Sequence, residues 1–153
     1  MKELLVGIGA MLLLAAGAQA DTFTITSQLT GDPRLGNPDN LLIDVTIDVV
    51  DKIANWTIDI KSPLHSKAKL DEFYFNLKID SSSVIFSDFL PLYWSVATDD
   101  GVLGGGAGGA KFNFTALDPS GKPDAANVTN DQNLTFVATL NNNWTESMFY
   151  DAD

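Results

Sequence analysis

An all-β fold, an antiparallel β-sandwich of jelly-roll type, is the class this sequence predicts, and three observations predict it. The first is alternation. In residues 41–60, Leu41, Ile43, Val45, Ile47 and Val49 fall on one face while Asp44, Thr46 and Asp48 fall on the other, and Trp56, Ile58 and Ile60 resume the pattern after a break. A period of two marks half-buried strands paired as a hairpin. The second is punctuation, since clusters of Gly, Pro, Asn and Asp separate about eight short runs of this kind. The third is that no helical period follows the first twenty or so residues, the length of an export signal. Short strands between turn clusters close into two packed sheets.

The N-terminus reads as an export signal. Met1-Lys2-Glu3 is followed by an apolar run over residues 4–16 and by Ala18-Gln19-Ala20. That run is shorter than the roughly 20 residues that span a bilayer, and a small-x-small ending suits a signal peptidase. The expectation is a signal peptide over residues 1–20, removed ahead of Asp21. A single β-sandwich domain over residues 21–153 follows, secreted or held at the cell surface, with no membrane span in the mature chain.

Charge and composition narrow the partners. The chain carries 20 acidic against 9 basic residues, a formal net charge of −11. A field of that sign repels nucleic acid and anionic membranes, so neither is expected as a partner. There are no cysteines and one histidine, His65. Disulfides, thiol chemistry and His-pair metal sites are thereby excluded, and stability must come from packing.

Each element can be argued in turn. Residues 22–29 place Phe23, Ile25 and Leu29 inward against threonines, which gives a first strand. Gly31, Pro33, Gly36 and Pro38 break the next stretch into a loop. In the following hairpin, pairing Val45 with Ile58 would set Asp44 opposite Asp59, where two carboxylates repel unless a cation lies between them. A slip of two residues sets Asp44 opposite Lys61 and keeps the same faces buried, so the slipped register is expected. The first register would hint at a surface calcium site. Residues 61–69 form a basic loop. Residues 70–79 read as one strand with Phe73, Phe75, Leu77 and Ile79 inward and Tyr74, Asn76 and Lys78 outward. Residues 81–97 read as two short strands or a strand and a bulge, interrupted at Pro91, with Trp94 on the core side. Residues 99–110 read as a Gly-rich hinge. Its Gly104-x-Gly106-x-x-Gly109 spacing lacks the strand-then-helix setting that a dinucleotide site needs. Strands over residues 111–116 and 133–140 flank a polar loop over 117–132, and residues 141–153 read as a turn with a short strand or helical turn.

Three segments also carry a resemblance: Lys69-Leu70-Asp71-Glu72-Phe73-Tyr74-Phe75-Asn76-Leu77, the Gly-rich stretch leading to Lys111-Phe112-Asn113-Phe114, and Asn133-Leu134-Thr135-Phe136. From residue 59 onward the chain resembles small bacterial secreted proteins that carry a PEP-CTERM sorting signal and are handled by an exosortase. The resemblance implies export and a β fold, and brings no catalytic residues. Such proteins continue into a Pro-Glu-Pro motif, a hydrophobic helix and a basic tail, which this sequence lacks. A naturally released form and a truncated form both stay open.

The chemistry is weighed last. Asp99 with Asp100, or Asp71 with Glu72, are the carboxylate pairs an enzyme would draw on. Glycoside hydrolysis needs two such groups about 5 to 9 Å apart across a cleft, and strand neighbours point to opposite faces. For carbohydrate binding the rings available are Trp56, Trp94, Trp144, Tyr74, Tyr93 and Tyr150. Tyr74 and Asn76 on an outer face, and Trp144 in a run of asparagines, are the expected ligand-binding residues. Asp118, Asp124 and Asp131 are the expected calcium ligands, calcium being the one cofactor such loops suggest. The function expected is a non-enzymatic protein of the cell surface or extracellular matrix, whose partners are polysaccharide or other envelope components. A calcium-stabilised carbohydrate-binding module is the alternative, and a glycoside-active enzyme trails both.

Overall fold

In the computed structural model, residues 21–30, 42–62, 66–103, 111–118 and 123–149 are described. They fold as antiparallel β-structure. Ten strands form: β1 (Thr22–Thr30), β2 (Leu42–Val50), β3 (Ile53–Ile60), β4 (Lys69–Leu70), β5 (Glu72–Phe75), β6 (Val84–Leu90), β7 (Ser95–Leu103), β8 (Lys111–Leu117), β9 (Val128–Thr129) and β10 (Leu134–Leu140). One sheet has the order β1-β2-β3-β10-β6, a second has β5-β8-β7, and β4-β9 is a two-stranded ribbon. About eight strands were expected, and the difference lies mainly in the two-residue strands of the ribbon. The sheets hold five and three strands, where an eight-strand jelly roll would hold four and four. Among the described residues no helix is long and apolar enough to cross a membrane.

The core lies between the two larger sheets and is aromatic. Phe75 of β5 meets Trp56 of β3 at a ring separation of 4.8 Å, Phe114 of β8 at 5.3 Å and Phe86 of β6 at 6.1 Å. Trp56 stacks on Phe136 of β10 at 5.3 Å. The alternation in each strand explains this, because every second residue of β3 and β10 is buried, Ala54 through Ile60 and Leu134 through Leu140. Trp94 is on the core side as expected, 3% exposed, and its indole N–H donates to the Ala126 carbonyl at 3.0 Å.

The residues between the buried ones form the outer face of the five-stranded sheet, and the registers align them in rows. One row runs Thr26, Thr46, Thr57, Thr135 and Leu90 across β1, β2, β3, β10 and β6. The next runs Thr24, Asp48, Asn55, Val137 and Ser87, and the third Thr22, Val50, Ile53, Thr139 and Ile85. The only register shift among these pairings lies between β10 and β6.

Several expected boundaries move. The strand expected over residues 70–79 stops at Phe75, and Leu77 stays buried at 2% exposure in the turn that follows. β7 extends through Leu103, so residues 99–103 of the expected hinge belong to a strand, with a register shift between Thr98 and Val102. The expected polar loop over 117–132 contains a 3-10 turn at Asp124–Ala126 and β9, and buries Ala126 and Val128. The C-terminal stretch forms a 3-10 turn at Glu146–Met148. The signal peptide, the 31–40 loop, His65, Gly104 to Gly109 and Tyr150 lie outside the described residues.

Candidate functional site

The β2–β3 hairpin brings Asp44, Asp59 and Lys61 together at its open end. Its turn is the two-residue pair Asp51-Lys52, since Val50 faces Ile53. Asp51 sits at φ 53°, in the left-handed region that Asp tolerates better than most residues. A two-residue turn fixes the register of everything beyond it, so Val45 faces Ile58 and Asp44 faces Asp59. The slipped register expected from charge repulsion is therefore corrected. Slipping by two would move the two-residue turn one position along, to Lys52-Ile53, and put the β-branched Ile53 in the turn in place of Asp51.

The repulsion is relieved by Lys61. β3 ends at Ile60, and the Lys61 N–H donates to the Leu42 carbonyl at 2.7 Å, which carries the alternation one residue further. Lys61 thus shares the face of Asp59 and places its Nζ 2.8 Å from Asp44 and 3.7 Å from Asp59. The ammonium stands where a bound cation would otherwise be needed. The hydrogen bond to Asp44, then the Asp44 and Asp59 charges, hold the Lys61 pKa above its ordinary value of 10.5. A pKa raised by folding means that this support is fully present below 10.5 and is lost as pH rises through the folded value. Replacing Lys61 by methionine is expected to lower the melting midpoint at pH 7 in low salt. The deficit should shrink in 1 M salt, and also as pH rises above 10.5 through the raised value of the folded state, where the ammonium of wild type is lost as well. Thermal melts across pH and salt check this, and a deficit independent of both would remove the electrostatic account.

Beside this triad opens a groove of about 620 Å³ lined by Asp59, Lys61, Ser62, Ser66, Asn130 and Asp131. Its floor is fixed across 68 residues of sequence. The Ser62 N–H donates to Asn130 Oδ1 at 2.7 Å, and Asn130 Nδ2 donates back to the Ser62 carbonyl at 3.1 Å. Ser62 is fully buried, and its Oγ accepts from the Leu42 N–H at 3.1 Å. These groups shape the groove and tie β2, β3 and the turn after β9 into one unit.

The expected ligand-binding residues do not converge. Trp144 is 0% exposed, its indole N–H donates to the Lys52 carbonyl at 3.0 Å, and its own N–H donates to the Asp51 carbonyl at 2.7 Å. Its ring is a core group latching the hairpin turn, which withdraws it as a stacking platform. Tyr74 is half-buried, donates its hydroxyl to Glu72, and packs on Phe112 at 5.5 Å. Asn76 is exposed, and its Oδ1 accepts from the Asn113 N–H at 2.8 Å, closing the end of β5 onto β8.

The three expected calcium ligands are likewise separate. Asp118 donates its N–H to the Asp71 carbonyl at 3.0 Å. The Asp124 carboxylate lies 3.5 Å from Asn127 Nδ2, and Asp131 donates its N–H to Thr129 Oγ1 at 3.3 Å. Among the described residues no group of three or more His, Cys, Asp or Glu is placed to hold a metal ion. The expected site is corrected accordingly: acidic composition in a loop does not aim the carboxylates at one point, and calcium takes 6 to 8 oxygens.

The sequence reading did not select Tyr93, the most exposed described aromatic ring. It is 65% exposed at φ 81°, beside Leu92, also 65% exposed, and Leu90 at 60%. The buried residues Pro91 and Trp94 anchor both sides of this tip. A positive φ in an aromatic residue costs on the order of 1–3 kcal/mol and persists only where its surroundings impose it. The signal available in the sequence was the Pro91 turn between two apolar runs, which lifts its following residues off the sheet.

The fold and site together define the chain as an all-β protein of two facing antiparallel sheets. No protein-family profile, curated protein or solved structure matches it.

Proposed function

We propose that this chain is an exported, non-enzymatic β-sandwich working at or outside the cell surface, as a component of the envelope or extracellular matrix. The observation that carries the reading is how its polar side chains are used. Asp44 and Asp59 share Lys61, Asn130 brackets the Ser62 backbone, Asn76 closes β5 onto β8, and Asp80 caps the 3-10 turn at Ser81–Ser83 through the Ser82 N–H at 2.9 Å. Each such group is spent on rigidity, as suits a domain that presents a surface. The leader pattern of residues 1–20 and the resemblance to PEP-CTERM sorted proteins support an exterior location.

Cell fractionation tests it. An epitope-tagged full chain is expected in the medium or envelope fraction, shortened by about the 20 residues of a typical leader. Recovery at full length in the cytoplasm would sink the proposal. Carbohydrate binding remains the second reading, favoured by the outer face of the five-stranded sheet.

A further inference from the structure

We infer that the outer face of the five-stranded sheet binds a neutral, extended polysaccharide laid across its strands. The inference rests on the proposed exterior location and deepens it by naming a ligand class.

Unbroken register is the first argument, and it carries the threonine row across four strands. The pairings from β1 through β2 and β3 to β10 contain no register shift, so the threonine row Thr26, Thr46, Thr57 and Thr135 is set by the strand spacing alone. Strands lie about 4.8 Å apart, and same-face neighbours along a strand are roughly 6.7 Å apart. A lattice of hydroxyls and methyls at such intervals offers both hydrogen bonds and apolar contact to a ribbon-like polymer, whose sugar rings carry hydroxyl rims and C–H faces. The row of Val50, Ile53 and Ile85, exposed at 44%, 44% and 68%, supplies further apolar area on the same face.

Charge is the second argument, and it selects the occupant. Among the described positions of the three rows, Asp48 is the only charged residue, and it accepts a hydrogen bond from Thr24 Oγ1 at 2.7 Å. The next acids along the strands, Asp44 and Asp59, share the single ammonium of Lys61. The face and its flank thus keep a residual negative charge, three carboxylates against one ammonium, of the same sign as the net −11 of the whole chain. A second copy would bring another −11 against it, and an anionic polymer would meet the same field, whereas a neutral polymer meets neither penalty.

The test is depletion of the purified exported protein by microcrystalline cellulose and by chitin. Wild type, Thr26→Arg and the double variant Thr46→Arg/Thr57→Arg are compared, with sedimentation to record oligomeric state. Binding to at least one polymer is expected, weakened about tenfold or more in both variants, which corresponds to at least about 1.4 kcal/mol. Thr26 lies exposed on the edge strand β1, so its variant keeps the test decisive if the double variant melts early. No depletion by either polymer would overturn the inference. So would binding that survives Thr26→Arg, or a wild-type dimer that this substitution converts to monomer. Each of these failures leaves the fractionation result intact, so the location and the ligand stand or fall separately.

Discussion

Trp144→Ala is expected to destabilise the protein by about 3–5 kcal/mol, the range for emptying a large aromatic site in a core. The ring is fully buried and lies 5.0 Å from Phe149, which in turn meets Phe23 of β1 at 5.9 Å and Trp56 of β3 at 6.2 Å. Losing it opens a cavity and also unlatches the C-terminal segment from the β2–β3 turn, because the indole N–H that reaches the Lys52 carbonyl disappears. Set against a total stability of about 5–15 kcal/mol, the loss is large. It corresponds to a melting midpoint lowered by roughly 10 °C or more. Trp144→Phe separates the two contributions. The Lys52 carbonyl keeps a partner in the Leu140 N–H at 3.0 Å, so the phenylalanine variant leaves no orphaned acceptor there and should lose distinctly less. Urea or thermal melts of the three proteins check this, and equal stability of wild type and Trp144→Ala would contradict the burial.

That residue also shows where the sequence misleads. Trp144 follows Asn141, Asn142 and Asn143, all exposed, and a polar run of that kind reads as a loop in water. Nothing local shows that the turn at Asp51-Lys52, more than ninety residues earlier, offers two carbonyls to the indole and its backbone. Period-two alternation was legible because it is local: each strand declares its buried face residue by residue, as Trp56 and Phe136 do. The register was less legible because two effects oppose each other. Carboxylate repulsion argued for Asp44 opposite Lys61, whereas the two-residue turn set Asp44 opposite Asp59. Lys61 satisfied both by reaching across from the next same-face position.

The candidate site was legible only in part, for a related reason. Composition names the groups that can bind and says nothing of where loops aim them. Asp118, Asp124 and Asp131 stand in one polar stretch of sequence yet, among the described residues, form no group of three placed to hold a metal ion. The threonine row is the opposite case. Each of its members lay in plain view on a strand, but their alignment depends on three separate registers, one of which joins β3 to β10 across more than seventy residues of chain. Rows are a property of pairing, and pairing is not written in any one strand.

Phe75→Ala is the second large effect, expected at about 3–5 kcal/mol and toward the upper end of that range. Phe75 is the ring through which the sheets meet: Trp56, Phe86 and Phe136 approach it from the five-stranded sheet, Phe73 and Phe114 from its own. Aromatic pairs contribute about 0.5–1.5 kcal/mol each beyond simple burial, and several are lost together here. They are also coupled, so a double-mutant cycle between Phe75 and Phe136 should return an interaction of roughly 0.5–3 kcal/mol where independent sites would return none. A site remote from Phe136 serves as the reference for that comparison. The position also discriminates between fold and ligand. Phe75 faces the interior and no row of the outer face includes it, so below its lowered melting midpoint the alanine variant should deplete onto polysaccharide as wild type does. A loss of binding while the variant remains folded would show that the outer face depends on how the sheets pack, and would move the binding determinants away from the threonine row toward the interior geometry.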